Sequence, residues 1–141
     1  MLKSCSSSEQ RTIAIDGKTL RGTKGWDKNH PLHLLHAWSV GERICLGQIA
    51  VAEKSNEITA FPELISQLEL KGAVITTDAL NTQKNSAKVV VDKGADYLFP
   101  VKENHPGLLD DIKLLFQEAD DQGFKGIDAM HTETVEKKAV A

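Results

Sequence analysis

Two short apolar, β-branched runs that each end in an aspartate constrain this chain more than any other feature. The first lies in residues 12–22, TIAIDGKTLRG, where Ile13, Ala14 and Ile15 lead to Asp16. A run so short and partly β-branched reads as a buried strand rather than a helix, and the Asp-Gly pair marks its end with a glycine turn. The second lies in residues 72–83, GAVITTDALNTQ, where Val74, Ile75, Thr76 and Thr77 lead to Asp78 and to a polar segment able to start a helix. Ligands of open α/β sheets bind beyond the carboxyl ends of the strands, so neighbouring strands would let Asp16 and Asp78 share one site. Two converging carboxylates are donors suited to a divalent metal.

The rest of the composition is permissive. A chain of 141 residues fits one domain and buries roughly two-thirds of its unfolded surface. Its 40% hydrophobic and 26% charged content is that of an ordinary globular protein without a membrane span, which makes the cytoplasm the default location. Cys5 and Cys45 form no C-x-x-C pair and follow no secretory signal, so free thiols in a reducing compartment are expected. The net charge of −3 excludes a broadly basic nucleic-acid binder. Positive residues are nevertheless grouped: Lys18, Arg21, Lys24 and Lys28 follow Asp16, and Lys84 and Lys88 follow Asp78. Such groups are either a solvated surface or a phosphate-contacting rim around an acidic centre.

Read in order, residues 1–11 are a serine-rich flexible tail. Residues 23–31 form a turn-rich link, and the apolar runs 32–40 and 44–52 flank Gly41-Glu42-Arg43 as a hairpin, giving a three-strand meander. From Asn56 the period becomes helical, with Ile58, Phe61, Leu64, Ile65 and Leu68 on one face and Pro62 near the first turn. Residues 83–93 resume a helix that Gly94 closes, residues 96–101 make a short edge or terminal strand despite Pro100, and residues 108–119 form a last helix with Leu109, Ile112, Leu115 and Phe116 as its stripe. An antiparallel meander followed by alternating helices and strands implies an α/β fold with a mixed sheet flanked by helices. Ribonuclease H-like domains have this succession.

Four segments carry a more specific resemblance: IAIDGKTLRG (13–22), AEKSNEI (52–58), ITTDALNTQ (75–83) and DYLFPVKEN (96–104). In this order they resemble the DDE transposases of bacterial insertion sequences, in particular the group of H-repeat-associated proteins. The resemblance implies a bacterial, metal-dependent enzyme that cuts and joins DNA strands at transposon ends. It implies Mg²⁺ or Mn²⁺ held by Asp16 as first carboxylate and Asp78 as second, with a downstream glutamate as third. Lys54, Glu57, Gln83, Lys102 and Asn104 lie in the matched segments and are expected in the polar surround of the site. The expected catalytic domain spans 12–125, with an irregular tail over 126–141.

The departures are at the ends. Glu136-Lys137 resembles the beginning of the stretch that leads to the third acid, but residues 138–141 do not continue it, and neither Glu133 nor Glu136 falls at the ligand position. A truncated, catalytically impaired copy is therefore expected. Two further readings stay open: a non-catalytic fragment that binds DNA ends or intact transposase, and a ribonuclease H-like nuclease. The aspartates also have structural roles available to them, since Asp16 could start an Asp-Gly turn and Asp78 could cap the next helix. His33 and His36 fall on opposite faces of a strand, and no zinc site with His30 is expected.

Overall fold

The computed structural model describes residues 10–20, 32–51 and 57–127. The described residues fall into two compact units divided between Asn104 and His105. The first unit carries a five-stranded sheet built from β1 (Thr12–Thr19), β2 (His33–Ser39), β3 (Ile44–Val51), β4 (Val74–Thr76) and β5 (Asp96–Leu98), with α1 (Glu57–Ser66) and α2 (Lys84–Asp92) between strands. The second carries α3 (Pro106–Asp121).

The spatial order is β3-β2-β1-β4-β5. β1, β2 and β3 pair antiparallel as the expected meander, while β4 lies parallel to β1 and β5 parallel to β4. Parallel neighbours need a crossover connection, which α2 supplies between β4 and β5, while α1 lies in the connection that carries the chain from the edge strand β3 back to β4 beside β1. β1 is consequently the central strand. β5 is an edge strand that stops at Leu98, before Pro100, as a residue without an N–H requires.

Alternation on β1 and β2 decides where the core sits. Ile13 and Ile15 on β1 and His33, Leu35, Ala37 and Ser39 on β2 are buried, while Asp16, next after Ile15, and Trp38, between Ala37 and Ser39, are exposed. The buried face meets Phe61, Leu64 and Ile65 of α1, Ile75 of β4 and Val90 of α2 in one cluster. Burial of each large aliphatic or aromatic side chain contributes about 1.5–3 kcal/mol, so this single layer of helix on sheet is the main stabiliser. Pro62 sits in the sixth position of α1, beyond the first turn, and α1 bears its buried stripe on either side of it. Gly94, at φ +69°, closes α2 as expected, and its N–H bonds Val91 O at 2.9 Å.

One expectation is corrected. β1 does not end at Asp16-Gly17: Gly17, Lys18 and Thr19 continue the ladder opposite Leu35, Leu34 and His33. The Asp-Gly pair is a strong turn signal only where the chain is free to turn, and here a full antiparallel partner holds it extended. Gly17 has another reason to be glycine. A Cβ at this position would stand 2.6 Å from Cδ and 2.8 Å from Oε2 of Glu57, well inside contact distance.

Candidate functional site

β1 and β4 are neighbouring parallel strands, and each aspartate lies two residues beyond their last paired positions. The ladder runs Thr12↔Val74, Ile13↔Ile75, Ala14↔Thr76. Asp16 is on the central strand, two residues after Ala14, and Asp78 follows the carboxyl end of β4, two residues after Thr76. Both aspartates are exposed. Asp16 pairs across β2 with His36, which is half-buried on the sheet face opposite the buried His33. The two histidines therefore do not converge, as their spacing predicts, and His30 lies outside the described residues.

Asp78 is held by the turn that follows it. Its Oδ1 accepts two hydrogen bonds from Asn81, one from the backbone N–H and one from Nδ2, both at 3.2 Å. The aspartate thus caps a turn rather than α2, whose N-cap is Gln83 in extended conformation. Two further contacts anchor this turn to the segment after β5: the Thr82 hydroxyl donates to Pro100 O at 2.8 Å and Asn104 Nδ2 donates to Ala79 O at 2.8 Å. Gln83 Nε2 donates to Leu80 O at 3.2 Å within the same turn.

Behind the turn lies a buried polar cluster. Glu57, the first residue of α1, is only 1% exposed, and Asn81 is fully buried. Asn81 Nδ2 donates to Glu57 Oε2 at 3.4 Å as well as to Asp78. Oε1 of Glu57 accepts from His33 Nε2, and the other ring nitrogen of His33 lies 2.9 Å from the Thr19 hydroxyl. A carboxylate so buried is tolerable only because both oxygens have donors. The chain of contacts Thr19–His33–Glu57–Asn81–Asp78 links β1, β2, α1 and the turn after β4.

The expected polar surround divides accordingly. Glu57, Gln83 and Asn104 support the turn or its cluster, Lys102 is exposed, and Lys54 lies outside the described residues. Sequence reasoning overlooked Thr19 and Asn81 and weighed His33 only as a metal ligand. A signal existed for His33, which shares the inward parity of Leu35 and Ala37 on β2.

As for metal, the two aspartates offer hard carboxylate oxygens, the donors Mg²⁺ and Mn²⁺ prefer, and only Oδ1 of Asp78 is engaged by Asn81. Among the described residues no group of three or more His, Cys, Asp or Glu side chains is arranged to hold an ion. The donor chemistry fits a divalent cation, with two protein carboxylates from this part of the chain. Elsewhere, a groove of about 550 Å³ lined by Gln10, Arg11, Thr12 and residues 39–42 lies at the start of β1, away from Asp16. No helix among the described residues is long and apolar enough to cross a membrane.

The chain is similar to known proteins. A protein of Xanthobacter autotrophicus, "Uncharacterized protein in dhlA 3'region", is 39% identical over 125 residues, which are 89% of this chain and 41% of that protein. The "H repeat-associated putative transposase YhhI" of Escherichia coli K12 is 47% identical over 105 residues, 72% of this chain and 27% of its own length. The chain thus spans less than half the length of either relative. A piggyBac transposase, solved in a synaptic complex with hairpin DNA, superposes with a TM-score of 0.50 at 14% identity over 66% of this chain and 23% of that one. That likeness bears on the fold, a ribonuclease H-like mixed sheet. The profile described as "Transposase DDE domain" matches residues 7–137, nearly the whole sequence and both aspartate-bearing strands, and the chain belongs to that family.

Proposed function

We propose that this chain carries the first two carboxylates of a transposase site that cleaves and joins DNA strands with Mg²⁺ or Mn²⁺. The observation that supports it most is the parallel pairing of β1 with β4, whose register ends at Ala14↔Thr76, two residues before each aspartate. Both side chains would hold the cation through carboxylate oxygens. When bound, the cation supplies Lewis acidity to the scissile phosphate and a more acidic water or 3′-hydroxyl. Asp16 sits on the central strand, where the antiparallel ladder with β2 fixes its backbone opposite His36. Asp78 is fixed instead by its turn, where both Asn81 bonds fall on Oδ1 and Oδ2 would serve the cation. Because little covalent work falls to the protein in phosphoryl transfer, holding these oxygens still is its main contribution.

Membership of a transposase family supports DNA as the partner. In this chain Lys84 and Lys88 are exposed on α2, which begins six residues after Asp78, and would supply phosphate contacts. The mild negative charge predicts few released counterions, hence little sequence-independent affinity and only a shallow dependence of binding on salt. A bacterial cytoplasmic setting goes with a DNA substrate of this kind.

The test is a nicking assay on labelled duplex carrying H-repeat ends, with Mg²⁺ or Mn²⁺ and with chelator. Slow, metal-dependent nicking that disappears in both Asp16→Asn and Asp78→Asn is expected. Nicking that survives either substitution would refute the assignment. DNA binding with no nicking under any metal would favour a fragment that occupies transposon ends without cutting, and preference for an RNA–DNA hybrid would favour a nuclease.

A further inference from the structure

Glu57, His33 and Asn81 are the least expected residues of this fold, because buried ionisable and amide groups cost free energy unless they do something with their partners. Asn81 occupies a position that few side chains could fill. Its two side-chain neighbours, Glu57 Oε2 at 3.4 Å and Asp78 Oδ1 at 3.2 Å, are both carboxylate oxygens that only accept. A bridge between them must donate twice from one atom. A primary amide nitrogen has two hydrogens and no charge, so it satisfies both carboxylates without adding a cation that would compete for Asp78. The cost of the arrangement is visible: Asn81 Oδ1 is buried with no hydrogen-bond partner among the described residues. An amide left half-satisfied in this way is retained for its nitrogen.

Glu57 is in turn unable to move. Oε1 is taken by His33, whose other nitrogen is engaged with Thr19, and Gly17 alone leaves room for the carboxylate against β1. At 1% exposure with donors on both oxygens, Glu57 is poorly disposed to ligate metal itself. We infer that Glu57 and Asn81 are positioning residues: the buried Glu57 carboxylate, locked by His33, holds the Asn81 amide, and the amide fixes which oxygen of Asp78 faces a divalent cation. This inference rests on the reading of Asp16 and Asp78 as a metal site. It connects the backbone beside Asp16 to the side chain of Asp78 through a path inside the protein, so the two carboxylates keep their relative placement before the cation arrives.

The experiment is Mn²⁺ titration of the full chain, followed by electron paramagnetic resonance, with melting curves recorded in parallel. Outer partners of metal ligands typically alter affinity by about 10–100-fold, and that loss is expected for Asn81→Ala and Glu57→Ala in variants that still melt cooperatively. Glu57→Gln should recover most of it. Its oxygen can still accept from Asn81, and its new N–H₂ can donate to a His33 ring whose remaining proton turns to Thr19. A readout independent of metal accompanies it. The Asn81 side-chain N–H₂ protons should exchange slowly in the metal-free chain and shift in both Glu57→Gln and Asp78→Ala. Mn²⁺ affinity unchanged in Asn81→Ala, equal losses in Glu57→Gln and Glu57→Ala, or Asn81 protons exchanging at the rate of a free amide would each overturn the inference. Mn²⁺ binding indifferent to Asp16→Ala and Asp78→Ala in the parent chain, with Asn81 still protected, would instead overturn the metal reading, and the role given to the bridge with it.

Discussion

Gly17→Ala is the perturbation whose outcome the structure determines most sharply. Gly17 is paired in β1 and has no positive φ, so alanine can adopt its backbone and would, on conformational grounds alone, stabilise the chain by about 0.4–1 kcal/mol. Space decides otherwise. The new methyl would stand 2.6 Å from Glu57 Cδ and 2.8 Å from Oε2, and the carboxylate has nowhere to retreat because His33 and Asn81 hold it. Overpacking of this kind costs about 1–3 kcal/mol. Moving the carboxylate to relieve it gives up hydrogen bonds to a charged group worth about 1.5–3 kcal/mol. A net loss of about 2–4 kcal/mol is therefore expected, or a fall in Tm of roughly 10 °C at about 4 °C per kcal/mol for a chain of this length. Urea denaturation and a thermal scan measure it, and the Glu57→Ala background supplies the control. With the carboxylate gone, adding the methyl should cost nothing further. A Gly17→Ala chain as stable as the parent, or equal penalties with and without Glu57, would show that close approach is not why glycine stands here.

Two further outcomes follow from the same contacts. His33→Phe keeps a ring on the core side of β2 but leaves Glu57 Oε1 without its donor, and breaking a buried pair costs about 3–5 kcal/mol, read by chemical denaturation; a change under about 1 kcal/mol would contradict the pairing. Gly94→Ala should cost about 1–2 kcal/mol for a different reason, since its Cβ would meet only Lys71 Cγ at 3.6 Å and the penalty lies in φ +69°; an unchanged Tm would place that residue in another conformation.

Much of this architecture is legible in the sequence because it depends on period. The alternation of Ile13 and Ile15, the hairpin around Gly41-Glu42-Arg43, the stripe Phe61, Leu64, Ile65 and the stop at Gly94 are local signals that the sheet and helices obey. Asp16-Gly17 misleads as a turn signal because its conformation is set by β2 and by Glu57, forty residues distant in the chain, and neither is visible to a local rule. The polar cluster is hidden for the same reason. Glu57 and Asn81 look like ordinary helix-start and turn residues, and only the fold shows that one amide lies between two carboxylates. Asp16 and Asp78 stood out because each follows a short apolar run, a pattern that survives without knowledge of partners.

The central claim, that Asp16 and Asp78 act on one divalent ion, is tested most directly by anomalous scattering from crystals of the chain soaked in Mn²⁺. The account predicts a peak within about 2.0–2.2 Å of a carboxylate oxygen of each aspartate, with Asp78 Oδ1 still bonded to Asn81 and Oδ2 toward the ion. A well-occupied peak that touches only one of the two, or Mn²⁺ bound elsewhere while both carboxylates remain without it, would contradict the claim.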